Sequence, residues 1–459
     1  MAPISRRRFL RTAGALLLTV PDAALQAALD PEQAVPSLPE LSLDRREPGL
    51  AEGHLVAEAR PVRINGRTVE AWTYNGSYPG PLIRVREGET LRLTLVNRLP
   101  VPTNLHFHGM WVSPSGRGDN VWVQVPPGES FTYEFAIPAG NAGLQWYHPH
   151  IHGASAEPLF RGLAGALLVE GEEAFERELV CDDRVLVLKD LTVEGGRIPR
   201  ARPTEVSAGR EGQWLLVNGM ERPVLQATRT LLRARFLNAS NSRYWKLRLS
   251  NEAPMTVIAL DGRTLESPRE LQELLLVPGA RAEALIVLDN PAPVDLWYHP
   301  VPRREMQFTG SRELLRILPP PAPTPVSIPS RLARVPRFGT APPDTERDIV
   351  LGLFNLCGRF LDPARVDIRT RVGAREIWNV RNADYMDHAF HLHTWHYEIL
   401  DFDGRPPPHL ERRDMHNVRI GETMRIGIHF TGHSGRTLYH CHFAEHADAG
   451  MMAVLQVDP

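Results

Sequence analysis

Lysine is almost missing from this chain of 459 residues: only Lys189 and Lys246 occur, so fifty of the 52 basic residues are arginine. We attribute that skew to genomic composition or heat adaptation before any function. Cysteine is nearly as scarce. Cys181, Cys357 and Cys441 allow at most one disulfide, so stability must come from hydrophobic cores, and buried free thiols are expected for Cys181 and Cys357. Neither charge sign dominates. The 52 basic and 54 acidic residues leave a formal charge of −2, which excludes the broad basic field of a nucleic-acid or anionic-membrane binder. The apolar run from Ala13 to Val20 is too short to span a bilayer.

The composition, 42% hydrophobic and 23% charged, is that of a folded globular chain, and the length asks for two to four domains. The short apolar run follows Ser5-Arg6-Arg7-Arg8-Phe9-Leu10 and has the basic front of a signal peptide, with small residues for cleavage between Ala24 and Ala28. The paired arginines resemble the twin-arginine export signal, whose route carries proteins already folded. Residues 1–28 are therefore expected to be removed, leaving a periplasmic or extracellular protein without a stable membrane anchor.

Internal repetition organises the remainder. The run from Pro81 to Gly88, with alternating Leu91, Leu93 and Leu95 ending at Asn97, recurs from Arg222 to Asn238 and from Val366 to Asn382. A second marker, Pro127-Gly128, Pro278-Gly279 and Ile420-Gly421, precedes an alternating apolar segment at nearly the same period. Alternation of period two, turns rich in Pro and Gly and few helical patterns predict an all-β chain of three consecutive β-sandwich domains. The predicted boundaries are 45–172, 173–318 and 345–459. The proline-rich stretch 319–344 reads as a stiff connector, because proline cannot donate to a β-ladder.

Histidine is where the sequence concentrates chemistry. Ten of the 18 histidines fall in four windows, 106–108, 148–150, 388–393 and 440–446, where random placement would put fewer than one. In His106-Phe107-His108, His148-Pro149-His150 and His391-Leu392-His393 two imidazoles stand at i and i+2. On a strand they share a face, on the order of 6.5 Å apart, a spacing suited to neighbouring metals. In His440-Cys441-His442 the same alternation sends both imidazoles to one side and the thiol to the other. His388, three residues before His391, faces away from the His391/His393 pair. One site is thus predicted from His388, Cys441 and His446, and a second from the paired imidazoles. Two imidazoles and a thiolate, with the thioether of Met451 nearby, form the ligand set of a blue-copper centre. Zinc accepts His and Cys but has no redox chemistry and would not require the thioether.

These residues resemble the multicopper oxidases, in particular three-domain bacterial laccase-like enzymes close to those of thermophilic bacteria. The likeness rests on Asn104 to Gly109, Trp146 to His150, His388 to His393 and His440 to Met452, and on Phe236 to Asn241 in the connecting β units. It implies cupredoxin-like Greek-key domains and four copper ions. Type 1 copper would take His388, Cys441 and His446, with Met451 as weak axial ligand. Type 2 would take His106 and His391. One type 3 copper would take His108, His148 and His442, and the other His150, His393 and His440. The middle domain, holding only His299, would be a spacer.

The resemblance further implies single-electron transfer through Cys441 and its covalent neighbours His440 and His442 to a cluster that reduces dioxygen to water. Phenols or aromatic amines are the expected donors, and the expected state is a monomer. Many bacterial relatives carry Glu directly after the last type 1 histidine; here that position is Ala447, and Asp119 becomes the better candidate to hold water near the type 2 copper. Glu445 and Asp448 are nearby in sequence only. Two alternatives are a periplasmic metallo-oxidase acting on Cu(I) or Fe(II) and a non-catalytic copper-binding scaffold. The first is weakened because the region from Val301 to Arg312 offers Met306 as its one methionine. Asp414, Met415 and His416 read as a turn with a satisfied Asp or as a donor or metal-entry site, and His396, His409, His429 and His433 as surface or core.

Overall fold

The computed structural model describes residues 33–171, 174–302 and 310–459. The expected signal segment, residues 1–28, and Met306 lie outside the described residues. Among the described residues the regular structure is almost all β, with six sheets that pair into three sandwiches as the period predicts. In the first, the sheet Arg67–Tyr74, Leu50–Ile64, Thr90–Asn97 and Ser130–Ala136 packs on Gly80–Arg86, Gly165–Glu170, Gly143–His148 and His106–His108. Inward residues of both sheets, among them Leu55, Leu93, Val85 and Leu167, fill its core. The second and third sandwiches carry larger sheets, of six and five strands each. In all three, the repeat strand ending at Asn97, Asn238 or Asn382 runs parallel to the strand that opens the unit.

The two sequence markers prove to be one structural device. Each asparagine closes a loop by donating from Nδ2 to two backbone carbonyls: Val101 and Val125 for Asn97, Arg243 and Leu276 for Asn238, Met386 and Val418 for Asn382. Its Oδ1 accepts the N–H two residues on, at Leu99, Ser240 or Asp384. The marker glycines Gly128, Gly279 and Gly421 donate their N–H to the carbonyls of those same asparagines. Their φ values of 82°, 85° and 76° lie in the left-handed region that glycine enters freely.

The units share cores. Trp146 and Leu144 of the first, Leu237 and Ala239 of the second and Ala444 of the third form one buried cluster. The connector 319–344 contains no strand, and its buried Leu332 donates to the carbonyl of Glu266 while Phe338 donates to the Glu398 carboxylate. Three short helices, Ala156–Arg161, Pro203–Ala208 and Ala444–Asp448, meet where the units join.

The expectation of buried thiols fails twice. Cys181 is half-buried and Cys357 is exposed, and all three cysteines are free. Cys357 sits at φ 53° just past the short strand Asn355–Leu356, on an edge with no sheet to cover it.

Candidate metal centres

Register builds the site. Strand His106–His108 pairs antiparallel with Gly143–His148, setting His106 opposite His148. Strand His388–Leu392 pairs with Gly435–Cys441, setting His391 opposite His440 and Phe390 opposite Cys441. The two strand pairs, from opposite ends of the chain, meet face to face. His106 stacks on His393 with ring centroids 4.0 Å apart, and His108 on His391 at 3.9 Å. The eight imidazoles so gathered are all buried.

Their nitrogens fall into groups in which the potential ligand atoms lie within 4.8 Å of one another. One group is His108, His148 and His442; another is His150, His393 and His440; a third is His106, His108 and His391. His106 also groups with Asp119 and His393. On the far side of the strand Gly435–Cys441, the Cys441 sulfur lies 3.5 Å from His388 Nδ1 and 3.8 Å from His446 Nδ1. Strand alternation thus partitions His440-Cys441-His442 as the sequence predicts. Met451 is fully buried and donates its N–H to the His446 carbonyl, while Cys441 donates to the Met451 carbonyl.

Tautomers point the free lone pairs inward. The Nδ1–H of His106 donates to Asp119, that of His148 to the Pro149 carbonyl, that of His391 to the Asp414 carbonyl and that of His440 to the Cys441 carbonyl. Each leaves Nε2 bare, and on His106, His148 and His391 this atom is buried without a protein partner. The bare Nε2 of His440 faces His393 Nε2 at 2.9 Å and His150 Nε2 at 3.2 Å, and His442 Nε2 faces His108 Nδ1 at 3.2 Å. Converging buried imidazole nitrogens are costly to leave without a cation. On the sulfur side, His388 Nε2 meets Asp384 and His446 Nε2–H donates to the Ser207 carbonyl, which turns both Nδ1 atoms toward Cys441.

Protonation follows the same division. Burial, reinforced by the neighbouring imidazoles, holds His106, His150, His393 and His442 far below the usual histidine range, and burial takes His148 and His440 down to about 3. These are neutral ligands. Burial alone would raise Cys441, but its contacts with His388 and His446 outweigh that and bring it down to about 6. Burial alone would lower His388, but Asp384 and Cys441 outweigh that and raise it to about 9. A metal at the sulfur would displace a proton there, whereas the cluster imidazoles already have the neutral form that binds soft and borderline metals.

Asp119 is buried and accepts both His106 Nδ1–H and the Phe107 N–H, and burial pushes its carboxyl up to about 7. Glu445 and Asp448 serve the joints between units. Glu445 accepts from Asn241 Nδ2 and Ser242 Oγ, and Asp448 from the N–H groups of Ser155 and Ala156. Ala447 is buried.

Sequence reasoning missed one network. Asp414 takes two hydrogen bonds from Arg281, which is fully buried and also donates to Gln145, so the three units share one ion pair. Asp414 is thus the satisfied acid of the two readings above, but it is buried, with His108 Nε2 at 3.4 Å and His396 Nε2 at 3.2 Å. No local signal marks Arg281, whose partners in the other two units, Gln145 and Asp414, are more than a hundred residues away. Asp384 had one: it stands four residues before His388.

A neutral imidazole cage beside a thiolate and two imidazoles, at the junction of β-sandwiches, suits a redox metal. The chain belongs to the multicopper oxidase family: multicopper oxidase domain profiles match residues 56–174, 183–310 and 338–459. It is similar to the multicopper oxidase Mco of Staphylococcus haemolyticus, 29% identical over 84% of this chain and 83% of that one. It is likewise similar to the cell division protein FtsP of Edwardsiella tarda, 30% identical over 99% of both chains. Among solved structures, a metallo-oxidase of the family from Campylobacter jejuni superposes with a TM-score of 0.86 at 28% identity, covering 94% of this chain and 97% of that one. The protein is accordingly an oxidoreductase with oxygen as acceptor, copper is the metal its family implies, and the clusters suit it. Among the described residues no helix is long and apolar enough to cross a membrane.

Proposed function

We propose that this is an exported laccase-like oxidase that couples four one-electron oxidations of phenolic or aromatic amine donors to reduction of dioxygen to water. Three cupredoxin units, 45–172, 173–318 and 345–459, would hold four coppers. His388, Cys441 and His446 with axial Met451 would bind type 1. His106 and His391 would bind type 2. His108, His148 and His442, and His150, His393 and His440, would bind the type 3 pair. When bound, these coppers supply single-electron chemistry at the sulfur site and multi-electron oxygen chemistry at the imidazole cluster.

One observation carries the reading: the sulfur of Cys441 meets His388 and His446, while its covalent neighbours His440 and His442 each belong to a different imidazole triad. The chain's own residues do the rest. Asp119 fixes the His106 tautomer, Asp384 and the Ser207 carbonyl fix His388 and His446, and burial excludes water from the cluster. With Ala447 where many relatives have Glu, Asp119 is the acid we assign to the water next to the type 2 position. Residues 1–28 would direct export of the folded chain by a twin-arginine route, and the mature protein would act as a monomer.

The Campylobacter jejuni neighbour favours a second reading, oxidation of Cu(I) or Fe(II), and the Edwardsiella tarda relative a third, a binding role in cell division. Copper content, absorption spectrum and oxygen uptake with Cu(I) and a dimethoxyphenol separate them. We expect four coppers, a blue band and phenol-driven uptake, with Cys441→Ser losing the band and keeping copper at the histidines. Turnover of Cu(I) alone would establish the second reading, and copper binding without oxygen uptake from any donor the third.

A further inference from the structure

A cavity of about 450 Å³ opens where the three units and the connector meet. It lies past the imidazole cluster along the chain: strand His388–Leu392 places His388 beside the sulfur and His391 in the cluster, and Trp395 and His396 then line the cavity. Arg263, Arg334 and Arg412 face it, and no carboxylate does. Four other cavities of this molecule each carry at least one Asp or Glu in their walls.

The two inner arginines lack carboxylate partners. Arg263 spends one N–H on His396 Nδ1, at 3.0 Å. Among the described residues, the Arg412 guanidinium makes no hydrogen bond or ion pair. Nearby acids are engaged elsewhere. Asp414 is taken by Arg281, Glu87 by the N–H groups of Gly140, Asn141 and Ala142, and Glu398 by the Phe338 N–H. Burial, then the charge of Arg412, pulls Arg263 down to about 9 against the opposing charges of Asp414 and Glu87. Two half-buried guanidiniums without a carboxylate partner repel each other, and an anion between them would offset that cost.

Trp111 and Trp395 supply the aromatic part of the wall, and they are fixed. The indole N–H groups of Trp111 and Trp395 both donate to the Thr431 carbonyl, at 3.2 and 3.0 Å, which holds two apolar rings in place. Guanidiniums beside locked indoles favour a ligand that is both flat and anionic. We propose that this cavity binds an aromatic carboxylate, its carboxylate held by Arg263 and Arg412 and its ring laid against Trp111 and Trp395. Nothing in the proposed oxidase reaction requires such a site.

Benzoate is the probe, because it has no phenol hydroxyl to oxidise. Titration of the full-length protein, followed by calorimetry and indole fluorescence, should show saturable binding of one equivalent. Benzyl alcohol, neutral and of similar shape, and sulfate, anionic without a ring, should each bind at least about tenfold more weakly. Arg412→Gln should raise the benzoate Kd by at least about tenfold and Arg412→Lys by less. Since Arg412 holds no other group, its loss leaves no partner stranded; Arg334→Gln, at the exposed rim, should weaken binding by a smaller factor. Benzyl alcohol or sulfate binding as tightly as benzoate, or Arg412→Gln binding benzoate unchanged, overturns the proposal.

Discussion

His446 Nε2 donates to the carbonyl oxygen of Ser207 at 3.0 Å, so the outward edge of the imidazole beside Cys441 is covered by the short surface helix Pro203–Ala208. No residue of that helix is buried, and His446 is fully buried beneath it. Replacing residues 203–208 by a Gly/Ser segment of equal length should raise kcat/KM for a bulky phenol about tenfold, or ~1.4 kcal/mol of barrier, relative to a small donor. The blue band should stay. An unchanged ratio of bulky to small donor would show that the helix does not limit approach.

Asp119 holds two N–H groups, on His106 and Phe107. Asp119→Ala should weaken copper retention about 10- to 100-fold, read by competition with a chelator, because the His106 ring loses the acceptor that fixes its tautomer. Asp119→Asn, which keeps an acceptor oxygen, should lose less.

In the second sandwich, Glu283 is buried between Arg233 and Arg235, accepting at 2.9 Å from each. Burial opposes its ionisation, but the two arginines outweigh burial and hold the carboxyl at about 2, below its ordinary 4.5. A depressed carboxyl stabilises the fold above the unfolded pKa, and that stabilisation is lost as pH falls from about 4.5 through about 2. Glu283→Ala should lower stability by about 3–5 kcal/mol at neutral pH, since both arginines are left without this partner. The gap to the parent protein should narrow with acidification over that window, read by thermal unfolding at successive pH values.

Asn238→Ala removes two donated hydrogen bonds and one accepted one from a buried loop closure. At about 1–3 kcal/mol for each stranded buried group, it should lower the unfolding temperature measurably while leaving copper content unchanged. Asn97→Ala and Asn382→Ala should act in the same way, because the three residues do the same work. A neutral result at all three would contradict the clip described above.

Much of this was legible in the chain itself. Period-two alternation and a repeat ending in Asn97, Asn238 and Asn382 foretold three similar sandwiches, because repeated local chemistry folds repeatedly. His440-Cys441-His442 foretold a sulfur on one side of its strand and two imidazoles on the other, because a strand must alternate its faces. What stayed hidden was everything set by contact between units. His396 read as surface or core and lies beside Asp414; Glu445 and Asp448, neighbours of His446, serve the joints. Arg281 carries no local pattern, since its partners come from three different sandwiches. The buried-thiol expectation failed at Cys357 because residue type predicts burial only on average.

The stacking of His106 on His393 and of His108 on His391 has a consequence for biogenesis. Every imidazole triad draws on both ends of the polypeptide, so a ribosome-bound chain that stops short of His391 owns none of them, and one that stops short of His440 lacks two of the three. Filling all three triads would therefore require that synthesis has passed His442 and that the outer sandwiches have docked.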